Sequence, residues 1–204
     1  MTGDNGLYFS NLRAFMNQPA ETLATLDDQL RGLLQDYARR QPSHSALAAE
    51  FGTLIDDVED SFCRERLAGH FTASCWLVSA DSQRLLLTHH RKLQRWLQLG
   101  GHADGDRDLA RVALKEAEEE SGLTGLVLDD PAIFDLDKHW IPEHKGVPGH
   151  WHYDVRFVIR AVGGETFVLS EESLDLAWRP VAEVATDPAS DESMQRMANR
   201  WLAR

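Results

Sequence analysis

The sequence has very few cysteines and no long apolar run, and each absence excludes a class of protein. Its 204 residues include only two cysteines, Cys63 and Cys75, which cannot form a disulfide framework and lack the spacing of a metal-ligand motif. No window approaches the ~18 consecutive apolar residues that a membrane-spanning helix needs. The first residues also lack the basic flank and apolar stretch of a signal peptide. We therefore expect a cytoplasmic protein.

Basic residues are scarce relative to acidic ones. The chain has 21 Lys and Arg against 33 Asp and Glu, a formal net charge of −12, and no run of basic residues. Such a chain would repel a phosphate backbone, so polymeric nucleic acid is a poor candidate partner. Hydrophobic residues make up 43%, which is enough for a sizeable core. The length favours one compact domain with an appendage over two full domains.

The first third of the chain has the apolar spacing of helices. Two stripes at intervals of three and four cover residues 23–37 and 47–58, and Pro19 and Pro42 bracket the first of them. We predict a helical hairpin within an N-terminal segment of residues 1–65. Its apolar faces need a partner, which is either the rest of the chain or a second subunit. We expect a homodimer whose interface is made partly from this segment.

Beyond about residue 70 the apolar pattern changes to that of short strands. The predicted strands cover residues 71–78, 84–88, 96–99, 133–140, 150–162 and 167–169, and the predicted helices cover 108–121 and 191–202. The strand at 96–99 is predicted to stop at Gly100 and Gly101, and the central helix at Gly122. This mixture predicts an α+β or α/β sandwich.

The predicted central helix carries an unusual acidic face. Glu116, Glu119 and Glu120 stand at i, i+3 and i+4, so their carboxylates share one face, whereas Glu118 points away. Like charges at i, i+4 destabilise an isolated helix by ~0.2–0.5 kcal/mol per pair. A bound Mg²⁺ or Mn²⁺ would reverse the sign of that effect, because these ions prefer oxygen ligands. The alternative is a solvated acidic face, the commonest meaning of a run of glutamates.

Residues 101–123 resemble the Nudix box, G-x5-E-x7-R-E-U-x-E-E-x-G-U, in which U is apolar. The positions that match it are Gly101, Glu116, Glu119, Glu120, Gly122 and Leu123. Two positions depart from the pattern, since Arg107 replaces a glutamate and Lys115 replaces an arginine. Lys115 keeps the charge but loses the two-pronged guanidinium grip on a carboxylate. Arg107 removes an outer carboxylate, which Asp104 or Asp106 could replace.

The resemblance implies a Nudix-type α/β/α sandwich around a mixed β-sheet over residues 66–204, with an N-terminal helical extension. It also implies hydrolysis of a diphosphate linkage in a small nucleoside diphosphate derivative, such as ADP-ribose or a nucleotide sugar. The implied cofactor is Mg²⁺ or Mn²⁺, which would stabilise charge on the phosphoryl oxygens and activate water. The implied metal ligands are Glu116, Glu119, Glu120 and the backbone carbonyl of Gly101.

The resemblance further implies a carboxylate from a loop, acting as metal ligand or general base. The loop at residues 170–173 offers Glu172 or Glu171. The predicted catalytic residues are therefore Glu119, Glu120 and Glu172. A surface pair of glutamates in a loop is also commonly only solvated.

Nine histidines are many for this length, and several lie at strand spacing. His150, His152, Asp154 and Arg156 alternate, so one face of a strand would carry all four side chains. We predict that Arg156, His152 and His102 bind the substrate. Alternatively, some of the histidines hold a transition metal, which neutral imidazole suits. The remaining interpretation is an exposed sheet face with incidental histidines.

Two other functions compete with hydrolysis. Isopentenyl-diphosphate isomerase shares the implied fold and has a Cys-Gly-His segment where this chain has Gly100-Gly101-His102. The missing cysteine removes the group that would do the proton chemistry. The second alternative is a catalytically silent Nudix domain that binds a ligand or regulates. Arg107 favours this alternative, whereas the three intact glutamates favour an enzyme.

Overall fold

The architecture was determined from a computed structural model that describes residues 22–91, 94–144, 146–169 and 173–204. Five α-helices and seven strands follow one another along these residues, with a short 3₁₀ helix at Pro42–His44 between the first two α-helices. In chain order they are α1 (Leu23–Arg40), α2 (Ser45–Ile55), β1 (His70–Val78), β2 (Arg84–His90), β3 (Arg95–Leu97), β4 (Gly100–His102), α3 (Leu109–Ser121), β5 (Leu126–Ile141), β6 (His150–Ala161), β7 (Ser173–Pro180), α4 (Val181–Val184) and α5 (Glu192–Leu202).

The strands form one mixed sheet. Its main order is β3-β2-β1-β6-β5, with β4 paired to β1 and β7 paired to β2. The β1–β6 pair is parallel, with His70 opposite His152 and Ser74 opposite Arg156. The other pairs are antiparallel. Because β1 lies beside both β4 and β6, it brings the region of the Gly-Gly motif next to the histidine-rich strand.

Helices cover both faces of the sheet, which confirms the predicted α/β/α sandwich. One hydrophobic cluster holds α1, α2 and α3 against one face, and it includes Phe71, Val155 and Ala113. A second cluster packs α4 and α5 against the other face around Trp76. Within the described ranges, no helix is both long enough and apolar enough to cross a lipid bilayer.

The two N-terminal helices cover the core of their own chain. Leu30, Leu34 and Tyr37 of α1 and Phe51 of α2 are buried in the cluster that also contains the sheet. The Thr22 side chain caps α1 by accepting from the Thr25 N–H. Of the two partners that the sequence left open for these apolar stripes, the rest of the chain is the one in contact with them.

The strands differ from the sequence prediction in three places. Residues 167–169 form no strand, because the Val168 N–H donates to the carbonyl of Ser121 rather than to a neighbouring strand. The strand β7 was not predicted, and it pairs with β2 from about 90 residues away along the chain. Gly100 and Gly101 do not end a strand but begin β4, which approaches β1 closely.

Candidate functional site

Helix α3 presents the acidic face that the sequence predicted. The Asp108 side chain caps its start by accepting from the Arg111 N–H, and Gly122 ends it with a φ of 65°, in the left-handed region that favours glycine. Val112, Ala113 and Ala117 are buried against the sheet. The helix is therefore docked by its apolar side, and its glutamates lie at the margin of the sheet.

Two of the glutamates pack against the backbone of β4. A Cβ placed on Gly101 would lie 2.5 Å from the carboxyl carbon of Glu116 and 2.6 and 2.8 Å from its oxygens. The Gly100 N–H donates to Oε1 of Glu120 at 2.8 Å. Glycine at position 101 thus leaves the space that the Glu116 carboxylate occupies, which explains why the double glycine and the acidic helix occur together.

The third glutamate is more exposed. The Glu119 side chain is 57% exposed, and Nζ of Lys115, four residues earlier on the helix, lies 3.6 Å from its Oε1. The side-chain donors beside Gly100 and Gly101 are the carboxylate oxygens of Glu120 and Glu116, to which β4 adds its backbone carbonyls. Such oxygens are the ligands that Mg²⁺ and Mn²⁺ prefer, so the residues present fit a hard divalent cation.

The loop between β4 and α3 is held by ion pairs. Nε of Arg64 donates to Asp104 at 2.6 Å, and Nε of Arg111 donates to Asp106 at 2.9 Å. These arginines lower the pKa of both carboxyls below the ordinary value, although burial opposes the effect and is the largest single influence at Asp106. Both aspartates that could replace the missing box glutamate are thus paired with arginines.

Arg107, the main departure from the Nudix box, has structural partners. Its guanidinium lies 2.8 Å from Oδ1 of Asp27 on α1 and 3.2 Å from Oδ2 of Asp60. It also lies over the ring of Phe62, 4.5 Å from the centroid. A residue in the box loop therefore fastens the first N-terminal helix to the domain that carries the glutamates.

A cluster of histidines lies on the opposite face of the sheet from α3. The ring of His70 on β1 lies 5.1 Å from that of His102, 4.9 Å from that of His150 and 5.0 Å from that of His152. The His139 ring on β5 lies 5.4 Å from the His152 ring. Three residues named from the sequence thus come together with His70, which sequence reasoning did not single out. The sequence did contain a signal for His70, since His70, Thr72 and Ser74 alternate and so give β1 a polar face.

Three rings of the cluster, those of His70, His102 and His152, have a lowered pKa. Burial is the main cause that lowers the pKa of His152 to about 2 and that of His102 to about 4, and neighbouring histidines and Arg64 add to the effect. Burial lowers the pKa of His70 as well, although its bond to the Arg66 carbonyl opposes the change. At neutral pH each of these rings keeps one nitrogen lone pair available.

Arg156 lies beneath this cluster, in a buried ionic network. Its side chain is 4% exposed, and Nε donates to Asp154 at 2.7 Å. Its terminal nitrogens lie 3.4 Å from Asp135 and 3.3 Å from Asp137. Burial opposes the charge of Arg156, but the three aspartates outweigh it and raise the pKa above the ordinary value. Direct contact with a substrate would require one of these ion pairs to open.

The remaining features are the loop glutamates and the second face of β6. The loop carboxylates Glu171 and Glu172 lie outside the described residues. On the face of β6 opposite the histidines, Tyr153, Val155 and Phe157 are buried. Trp151 on that face is 37% exposed and packs edge-on against Trp140.

Comparison with known proteins identifies the family of this chain. The model of the NUDIX domain matches residues 69–200. Similar solved structures include an Ap4A hydrolase binary complex from C. elegans (18% identity, 65% of this chain and 95% of that chain, TM-score 0.52) and a NUDIX family hydrolase from Clostridium perfringens (23%, 66% and 96%, TM-score 0.52). A dihydroneopterin triphosphate pyrophosphohydrolase from E. coli is also similar (15%, 65% and 94%, TM-score 0.50). At these identities the structural likeness shows the fold alone. No curated protein matches the chain significantly.

Proposed function

The chain belongs to the NUDIX domain family, and from that premise we propose that it is a divalent-metal-dependent hydrolase of a diphosphate linkage. Its substrate would be a small nucleoside diphosphate derivative, such as ADP-ribose or a nucleotide sugar. The observation that carries the proposal is the packing of Glu116 and Glu120 against Gly100 and Gly101. This packing supplies oxygen donors at one point, which a cation bridging to phosphates requires.

The proposed cation ligands are Glu116, Glu119, Glu120 and the carbonyl oxygen of Gly101. The chemistry supplied by Mg²⁺ or Mn²⁺ when bound there is neutralisation of the diphosphate oxygens and a lower pKa for the attacking water. The Gly100 N–H fixes the carboxylate of Glu120, and Lys115 offsets the charge of Glu119.

Proton transfer and substrate contacts complete the proposal. Glu119 and Glu120 serve as catalytic carboxylates, and Glu172 is the proposed general base or additional ligand from its loop. His102 and His152 are the proposed substrate contacts, with Arg156 holding Asp154 in place beneath them. A cytoplasmic homodimer stays a prediction.

Arg107 no longer favours a catalytically silent domain by itself. Its ion pairs with Asp27 and Asp60 give the arginine a structural reason to stand where the box has a glutamate. These ion pairs give the departure a structural explanation that does not depend on a loss of turnover. An isomerase function rests only on the Gly-His dipeptide, in a chain where Gly100 replaces the cysteine needed for proton chemistry.

The test is a panel of nucleoside diphosphate derivatives incubated with the full chain and Mg²⁺ or Mn²⁺. Products are resolved by chromatography for the unmodified protein, Glu120→Gln and Glu119→Gln. The matched control is Glu118→Gln, since Glu118 is an exposed glutamate of the same helix. We expect metal-dependent cleavage that falls by about a hundredfold or more in Glu120→Gln, because even the partners that orient metal ligands contribute 10–100-fold. Glu118→Gln should retain activity within about twofold.

Two results would contradict the proposal in different ways. Equal activity in the Glu118 and Glu120 variants would exclude the acidic face as the catalytic site. Cation binding that Glu120→Gln weakens, without cleavage of any member of the panel, would favour the ligand-binding alternative or a diphosphate without a nucleoside.

A further inference from the structure

Three histidines form a cluster on the opposite face of the sheet from the glutamates, and one of them, His152, is also a proposed substrate contact. The candidate ligand atoms of His70, His150 and His152 all lie within 4.8 Å of one another. They come from β1 and β6, which the parallel register holds side by side. His70 is 1% exposed and His150 is 8% exposed. A buried group of polar rings needs partners, since an unsatisfied buried polar atom costs about 1–3 kcal/mol.

Hydrogen bonds fix the tautomers of two of these rings. Nδ1 of His70 donates to the Arg66 carbonyl at 3.2 Å, and Nδ1 of His150 donates to the Pro148 carbonyl at 2.8 Å. A carbonyl can only accept, so both rings carry their proton on Nδ1 and have a lone pair on Nε2. Metal-ligating histidines are oriented in this way by a carbonyl or carboxylate on the second nitrogen.

Among the residues that the structure describes, none uses the lone pair of His70. Nε2 of His70 is buried and has no hydrogen-bond partner among the described residues. Nε2 of His150 lies 3.3 Å from Nε2 of His152, and because His150 has its proton on Nδ1, its Nε2 accepts a hydrogen bond from the His152 Nε2–H when no metal is bound. Two nitrogens on one tetrahedral Zn²⁺, with Zn–N bonds of about 2.0–2.1 Å, are separated by about 3.3 Å. The orphaned nitrogen and this separation both indicate a ligand that accepts several imidazole lone pairs.

The surroundings favour a metal cation over a phosphate. In His70 and His150 the Nδ1 proton is already donated to a backbone carbonyl, which leaves each ring a nitrogen that can bind a cation but has no proton to donate to a phosphate. His139 flanks the cluster, and its Nδ1 lies 3.0 Å from Oδ2 of Asp137, which again fixes the ring through a carboxylate. His102 borders the group from β4.

We propose that His70, His150 and His152 bind one transition-metal ion, Zn²⁺ by preference, through their Nε2 atoms. Imidazole ligands suit Zn²⁺, in contrast to the oxygen donors around Gly101. Three protein ligands leave a fourth position for water or a substrate oxygen, beside His102. Along β4, Gly101 faces Glu116 and the next residue, His102, faces the histidines, so the two metal sites lie on opposite faces of one strand.

The test measures Zn²⁺ and Co²⁺ binding to the full chain stripped of metal. Zn²⁺ affinity is obtained by competition with a chromophoric chelator, and the visible spectrum of Co²⁺ reports departure from octahedral water coordination. The ligand variants are His70→Gln, His150→Gln and His152→Gln. The matched controls are His144→Gln, an exposed histidine of the same hairpin, and Glu120→Gln from the oxygen-donor site.

We expect one Zn²⁺ per chain that both control variants retain, together with a Co²⁺ spectrum of low coordination number. Each ligand variant should lose about a hundredfold or more in Zn²⁺ affinity, and Zn²⁺ should no longer raise its melting temperature. Circular dichroism and a cooperative melt identify folded variants. His152 is the least buried of the three rings, so its variant is the one least prone to unfold. Zn²⁺ affinity within threefold of the unmodified protein in folded His150→Gln and His152→Gln would overturn the proposal. Equal loss in Glu120→Gln would overturn it too, by placing the ion among the carboxylates.

Discussion

Arg107 offers the sharpest test of how the N-terminal helices are attached. Its side chain is 14% exposed and pairs with Asp27, which is 20% exposed, and with Asp60, which is 44% exposed. Replacing it by glutamate would restore the residue of the Nudix box. We expect this change to destabilise the protein, because three carboxylates would then meet where one arginine now balances two.

The magnitude follows from the individual contacts. The largely buried bond to Asp27 contributes about 1.5–3 kcal/mol, and the contact with the Phe62 ring about 0.5–1 kcal/mol. The exposed pair with Asp60 adds less than about 1 kcal/mol. Arg107→Gln should therefore lower the free energy of unfolding by about 3 kcal/mol, and Arg107→Glu by more. At about 2–4 °C per kcal/mol for a chain of this size, the melting temperature should fall by about 6–12 °C in Arg107→Gln.

Thermal melts and urea titrations of the two variants check this expectation. Arg111→Gln is the matched control, since Arg111 is 59% exposed and pairs with Asp106 in the same loop. It should shift the melting temperature by less than about 3 °C. A shift below about 2 °C in Arg107→Glu would refute the reasoning, as would equal shifts in Arg107→Gln and Arg111→Gln.

Two further predictions concern β4 and α1. Gly101→Ala should displace the Glu116 carboxylate and raise the Mg²⁺ concentration that hydrolysis requires by about tenfold or more, with little loss of stability. Gly100→Ala should instead lower the free energy of unfolding by about 1–3 kcal/mol, because its Cβ would meet the β1 backbone at 2.6 Å. Mg²⁺ titrations and melts of both variants check this, and the reverse pattern would contradict it. Burial, with the Asp135 carboxylate, raises the pKa of Tyr37 from 10.0 to about 12, so its contribution is complete below pH 10 and is lost as pH rises through 12. The stability difference between the unmodified protein and Tyr37→Phe should then shrink by about 1.4 kcal/mol between pH 9 and pH 11 in urea titrations, and a constant difference would contradict the assignment.

The elements with strong local periodicity were predictable from the sequence. Helix α3 and strand β1 match their predicted positions closely because their apolar residues repeat at helical and strand spacing within a few residues. Strand β5 begins at Leu126, earlier than the predicted residue 133. The first part of the strand was missed because its register against β6 shifts twice between Leu128 and Asp135. Such irregularities break the alternation on which a sequence prediction depends.

The elements that depend on distant partners were not predictable. Gly100 and Gly101 have low strand propensity, and they form β4 by pairing with β1. The β1 backbone leaves no room for a side chain at Gly100, and the Glu116 carboxylate leaves none at Gly101. Strand β7 is ordered by pairing with β2, and the short apolar run at 167–169 instead packs beside the end of α3. In each case a contact made across the fold outweighs the local preference.

The same distinction separates the two candidate sites. The carboxylates of Glu116, Glu119 and Glu120 lie within five residues on one helix, so spacing alone predicts that they converge. His70 and His152 lie 82 residues apart, and only the parallel register of β1 and β6 places them opposite each other. The sequence shows that β6 carries a polar face, but not which strand completes it. A transition metal held by histidines is thus one alternative that the sequence offers, but the contribution of His70 depends on strand pairing, which the spacing within each strand does not reveal.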